Sequence, residues 1–95
     1  MSAYVIANVS VTDPARYETY KALSTHAIET HGAELCVRGG TVEVIEGDWR
    51  PDRVVLLKFP SRDAALAFVH SPEYNAARES RRGAATMRMV VVDGV

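Results

Sequence analysis

The stretch "AYVIANVSVTDPARYETY", residues 3–20, sets how the chain begins and, by repetition, how it folds. Its first nine residues are short-range β-formers, and they stop at a strong break. In that break Asp13 is a natural helix N-cap, and Pro14 suits the first helical position, where no amide hydrogen bond is lost. The helix that follows carries Tyr17, Tyr20, Leu23, Ala27 and Ile28 at three- and four-residue spacing, which predicts one apolar stripe. Gly32 ends it, because a glycine just past the last turn takes the left-handed conformation without penalty.

Working outward, "AELCVR" (33–38) alternates apolar and polar residues as a second strand does. Gly39-Gly40 reads as a bulge or turn, and "TVEVIEG" continues as extended chain to Gly47. "DWRPD" is a loop, since Pro51 does not fit a central ladder. "RVVLLKF" (53–59) is the strand that looks most buried. Ser61 caps a short helix through His70, with Ala65, Leu66, Phe68 and Val69 directed inward. Ser71-Pro72 repeats the cap-plus-proline signal and starts a second helical piece to about Arg82. "ATMRMVVV" (85–92) is the last strand.

The order β-α-β-β-α-β predicts an α+β, ferredoxin-like fold over residues 1–95, a single domain with an antiparallel sheet. Right-handed crossovers put the helices on one face of that sheet. One side-chain parity of the strands is wholly apolar and is assigned to the helices: Val5, Ala7 and Val9; Leu35 and Val37; Val55, Leu57 and Phe59; Met87, Met89 and Val91. The other parity holds Tyr4, Ile6 and Asn8; Cys36 and Arg38; Val54, Leu56 and Lys58; Arg88, Val90 and Val92. A solvated face does not normally carry so many apolar side chains. Hiding ~500 Å² of it is worth on the order of 12 kcal/mol before association costs. The expectation is a homodimer, sheet against sheet, closing a dimeric α/β barrel with two-fold symmetry.

Composition narrows the function classes. A net charge of −1 gives no general attraction to nucleic acid or to an anionic membrane. The N-terminus lacks the basic and apolar regions of a signal peptide, and no apolar run approaches ~18 residues. With one cysteine, an internal disulfide is excluded, so a cytoplasmic protein is expected. No GxGxxG or P-loop pattern is present, and no cofactor is expected. The three histidines lack the close spacing with carboxylates that a zinc site needs, so no metal is expected either.

The blocks "AYVIANVSVTDPARYETY", "HGAELCVRGG", "EGDWRPDRVVLLKFPS", "SPEYNAAR" and "VVVDG" together resemble domain-of-unknown-function family 1330, over essentially the whole chain. The resemblance implies the dimeric α/β-barrel superfamily, which includes small monooxygenases, cyclases, isomerases and dehalogenase-like enzymes beside proteins of no known activity. Fold therefore does not carry function here.

"HGAELCVRGG" (31–40) concentrates the side chains that could do chemistry. Cys36 with His31 as base is one reading, but an isolated strand cysteine is more often a small buried hydrophobe. His31 either serves the end of its helix or acts as a general acid/base. Arg38 could grip a carboxylate through both guanidinium nitrogens, and the glycines either bend the strand or let a ligand approach the backbone. Asn8, Arg38, Lys58 and Arg88 share the face placed inside the barrel, where charges need partners. They either pair across the dimer with Glu34, Glu43 or Glu46, or line a pocket for a small polar or anionic metabolite. Trp49 caps the barrel end or lids that pocket, and Tyr74 packs inward with its hydroxyl near the cavity. Arg78, Arg81 and Arg82 share one helix side, interrupted by Glu79, and do not make a nucleic-acid surface. The expected function is small-molecule binding by a homodimer. The alternative is a cofactor-free isomerase, cyclase or monooxygenase, with His31 shuttling a proton and Arg38 or Asn8 stabilising oxyanion charge.

Overall fold

A computed structural model describes all residues, 1–95. Strand β1 (Ala3–Val11) leads into helix α1 (Pro14–Thr30), followed by β2 (Glu34–Arg38) and β3 (Arg53–Phe59). Two short helices, α2 (Arg62–Val69) and α3 (Pro72–Ser80), precede β4 (Ala85–Asp93). The sheet order is β2-β3-β1-β4 and every neighbouring pair is antiparallel. Each helical connection thus skips one strand, the pairing that the ferredoxin-like order demands.

The helix starts follow the capping chemistry. The Asp13 carboxylate accepts from Arg16 N at 3.2 Å, Ser61 Oγ from Ala64 N at 3.1 Å, and Ser71 Oγ from Tyr74 N at 3.1 Å. Ser71 Oγ also donates to Phe68 O at 2.7 Å, so one hydroxyl joins the end of α2 to the start of α3. Gly32, with φ +66°, turns the chain out of α1.

The inward residues of β1 (Ala3, Val5, Ala7, Val9) are buried against an aromatic seam. That seam runs Phe59–Phe68–Tyr74–Tyr20–Tyr17, with successive centroids 5.3, 4.8, 6.4 and 5.2 Å apart. Two helix stripes differ from expectation. Leu23 is 37% exposed and Ser24 takes the inward position, because the stripe advances at 3.6 residues per turn from Tyr20 and leaves position 23 on its flank. Leu66 likewise points outward, while Ala65 and Phe68 pack inward.

The second strand differs more. Its register pairs Leu35 with Leu57 but Val37 with Leu56 and Arg38 with Val55, so an extra residue enters at Cys36. Of the two readings of Gly39-Gly40, the bulge lies instead at Cys36, and the turn is where it was expected. An extra residue inverts the facing of everything beyond it. Val37 therefore lies on the face away from the helices, and Arg38 on the face beneath them. Gly39, with φ +69°, then turns the chain off the sheet, and a Cβ there would lie 2.5 Å from Arg53 Cζ. "TVEVIEG" consequently runs outside the sheet and does not continue β2.

The face opposite the helices has no roof from this chain. Across it run three rows: Glu34, Lys58, Tyr4 and Val92; Val37, Leu56, Ile6 and Val90; Val54, Asn8 and Arg88. Val90 and Val92 remain 58% and 44% exposed. No helix is long and apolar enough to cross a membrane.

Candidate functional site

Between α1 and the sheet lies a narrow, mostly enclosed cavity of about 30 Å³. That is room for a water molecule or two before any side chain moves. Its sheet wall is apolar, from Val5, Ala7, Val55, Leu57, Met87 and Met89. The few polar groups come from Tyr20 and Tyr74 inside, and from Lys21, Ser24 and Arg38. The bulge at Cys36 is what places Arg38 here. Its guanidinium donates to Lys21 O and to Thr25 Oγ1 on α1, at the solvent-exposed mouth.

Inside, Tyr20 Oη and Tyr74 Oη are 2.9 Å apart, with Met87 Sδ 4.0 and 3.7 Å away respectively. Burial, reinforced by the neighbouring Tyr74, pushes the Tyr20 phenol well above the ordinary tyrosine range. Tyr20 therefore stays a neutral hydroxyl at physiological pH, able to donate to a carbonyl or carboxylate oxygen but not to act as a phenolate base. Arg81 and Arg78 lie over the Tyr20 and Tyr74 rings, 5.4 and 5.0 Å from the centroids. Two of the three arginines expected along α3 are thus turned onto tyrosines; Arg82 pairs with Glu79 at 2.9 Å.

The other expected residues separate. His31 Nε2 meets Glu73 Oε1 at 2.9 Å, and its ring stands edge-on to Phe68 at 5.9 Å. It fastens the end of α1 to the first turn of α3 and does not line the cavity, so His31 and Arg38 do not converge. Cys36 is exposed and not a core residue, because the bulge of an edge strand turns it outward. Partial desolvation and the hydrogen-bonding Glu34 carboxylate push its thiol pKa up, which disfavours a nucleophilic thiolate.

Asn8, Arg88 and Trp49 do come together, with Ser10, Asp48 and Arg50, around an open cleft on the roofless face. Arg38 is not among them, contrary to its expected facing. Ser10 Oγ donates to Asp52 and ties the 48–52 loop to β1. Asn8 Oδ1 is buried without a partner, and Trp49 is 65% exposed. Lys58 stands apart in the row with Glu34 and Tyr4 and makes no ion pair in the chain. No group of three His, Cys, Asp or Glu side chains is placed to hold a metal. Tyr20 is the site residue that sequence reasoning missed. Its place in the inward stripe was visible, but its pairing with Tyr74, 54 positions away, was not.

The family model for domain of unknown function 1330 matches residues 2–95. The chain belongs to this family. No curated protein matches it in sequence. Among solved structures, this DUF1330 protein is similar to a protein of unknown function from Rhodopseudomonas palustris, at 19% identity and TM-score 0.73, over 99% of this chain and 82% of that one. It is also similar to SnoaB, a cofactor-independent oxygenase from Streptomyces nogalater, at 14% identity and TM-score 0.66, over 99% and 93%. A third similar structure is Rv0793 from Mycobacterium tuberculosis, at 18% identity and TM-score 0.62, over 100% and 96%. At these identities the likeness concerns the fold of the DUF1330 chain.

Proposed function

We propose that this protein is a cytoplasmic homodimer that binds a small molecule with an apolar body and one anionic or carbonyl oxygen. The observation that carries this reading is the cavity under α1, apolar on its walls, with the neutral Tyr20 hydroxyl inside and Arg38 at its mouth. Ligand sites are commonly apolar clefts with a few polar groups that fix orientation. At about 30 Å³ the cavity takes such a body only as α1 shifts off the sheet, and the ligand's oxygen then meets Arg38, Lys21 or Tyr20. The roofless, valine-rich face supports the dimer, since a monomer would leave that row of apolar side chains in water. In the dimer, Asn8, Trp49, Lys58 and Arg88 sit in or beside the seam, where they meet partner groups or a second polar ligand.

The test is a thermal-shift screen of small hydrophobic carboxylic acids and carbonyl compounds, on the natural protein and on Arg38→Leu. The expected result is a stabiliser whose shift collapses in Arg38→Leu, while the melting of the free protein changes little because the Arg38 hydrogen bonds are exposed. An unresponsive melting curve across the whole panel removes the binding reading.

A second reading is favoured by the neutral hydroxyl and the guanidinium lining one cavity, on a fold that SnoaB shares. Such groups stabilise negative charge developing on a substrate oxygen, as a cofactor-free isomerase or oxygenase requires. In that reading Arg38 and Tyr20 touch the substrate, and His31 acts only by positioning α3 through Glu73. Mass spectrometry of each stabilising compound after incubation distinguishes the two: unchanged mass and retention time mean binding alone.

A further inference from the structure

Arg53 is a cation without an anion. It lies on the helix-side face of β3, next after Val55 of the cavity wall. Its guanidinium stands over the Tyr17 ring, 5.7 Å from the centroid, and against Gly39, where a Cβ would come within 2.5 Å of Cζ. A residue without a side chain thus clears the space that this group fills. Nε is buried with no hydrogen-bond partner, and no carboxylate of the chain pairs with the guanidinium. Buried donors are nearly always paired, and a charged one left over costs stability unless something binds it. A second guanidinium lies close by. Arg38 precedes Gly39, opposes Val55, and reaches α1 at Lys21 O and Thr25 Oγ1. Arg53 meets the same helix at Tyr17, one to two turns earlier, so the two groups follow its flank about 6–12 Å apart. Lys21 lies between them. Glu18, which holds the Lys21 ammonium at 2.8 Å, is the only carboxylate lining the groove between α1 and Arg38.

We propose that the ligand is a dianion: two carboxylates joined by an apolar linker, one held by Arg38 and the other by Arg53, with the linker lying on Val55. The inference rests on the ligand reading of the preceding section and deepens it by naming the ligand class. The outward shift of α1 that the cavity's size demands lifts Tyr17 from Arg53 and frees Nε. The guanidinium can then offer a carboxylate two parallel hydrogen bonds. Linker length selects among such ligands. Extended saturated diacids from adipate to suberate match the separation of the two cations, whereas succinate is too short to reach both.

The experiment is titration calorimetry on the full chain at fixed ionic strength, with adipate and suberate against the monoacids hexanoate and octanoate, and succinate against butanoate. The longer diacids are expected to bind about tenfold more tightly than the monoacids of equal length, and succinate to show no such gain. In Arg53→Met the gain should vanish while the monoacids keep their affinity. Arg53→Lys keeps the charge but not the forked donors, so it should lose most of the gain, and it supplies the test should Arg53→Met unfold. Diacids and monoacids of equal affinity, both lost in Arg38→Leu, overturn the dianion and leave the single-anion reading standing. A gain that survives either Arg53 variant also overturns the proposal. Silence from every acid overturns both readings.

Discussion

Replacing Tyr20 by phenylalanine removes one oxygen from a buried hydroxyl pair, and the consequence depends on pH. Tyr20 Oη and Tyr74 Oη are 2.9 Å apart, and without the former Tyr74 keeps only the weak acceptor Met87 Sδ at 3.7 Å. A buried hydrogen bond contributes about 1 kcal/mol, and a poorly satisfied partner adds to the loss, so about 1–2 kcal/mol is expected near neutral pH. In a domain of this size that is roughly a 5–15 °C fall in Tm. The alkaline limb behaves differently. The unfolded chain releases the Tyr20 proton near ~10, whereas burial and Tyr74 hold it on the folded protein to higher pH. Above that value the native state binds more protons than the unfolded state, so this residue's contribution falls by about 1.4 kcal/mol per pH unit; below it, the contribution is level. Phenylalanine has no such slope. Urea unfolding followed by circular dichroism should therefore show a gap between natural protein and Tyr20→Phe at pH 8 that closes by about pH 11. A gap of constant size, or none at pH 8, would refute the description of the paired tyrosines.

Other substitutions probe the remaining features. Ile6→Asp sets a carboxylate in the middle of the Val37, Leu56, Ile6, Val90 row and should yield a folded monomer by sedimentation; unaltered association contradicts the packed-sheet dimer. His31→Leu removes the 2.9 Å contact to Glu73 and should cost about 1 kcal/mol in urea unfolding, while leaving the affinity of any cavity ligand unchanged. Lost binding with unchanged stability would instead return His31 to the site. Cys36, its thiol pKa raised by partial desolvation and Glu34, should be alkylated by iodoacetamide at pH 8 more slowly than an unstructured cysteine peptide; faster reaction argues against the Glu34 contact.

Local chemistry made the element order legible. Asp13-Pro14, Ser61 and Ser71-Pro72 each announce a helix start through groups that satisfy free amides, and the structure uses all three. The inward parity of β1 and β3 was equally plain, since those strands lie inside the sheet and their register has no interruption. β2 concealed its bulge because Leu35 and Val37 are both apolar, so "ELCVR" reads as unbroken alternation whether or not a residue is inserted. Gly39-Gly40 offered the louder signal and does turn the chain off the sheet, but the bulge comes earlier, at Cys36. From that single slip followed the wrong facing of Arg38 and the wrong burial of Cys36. The Tyr20–Tyr74 pair was beyond sequence reading for another reason: two amphipathic stripes predict that both rings turn inward, but not that they meet.

The extra residue in β2 also has an evolutionary reading. Deleting position 36 would remove the bulge yet leave Val37 opposite Leu56 and Arg38 opposite Val55, so the loss of one codon would straighten the edge strand and keep the cation at the cavity mouth. Members of this family one residue shorter at this point would then keep both the cation under the first helix and the apolar row on the opposite face, and lose only the outward-turned side chain at position 36.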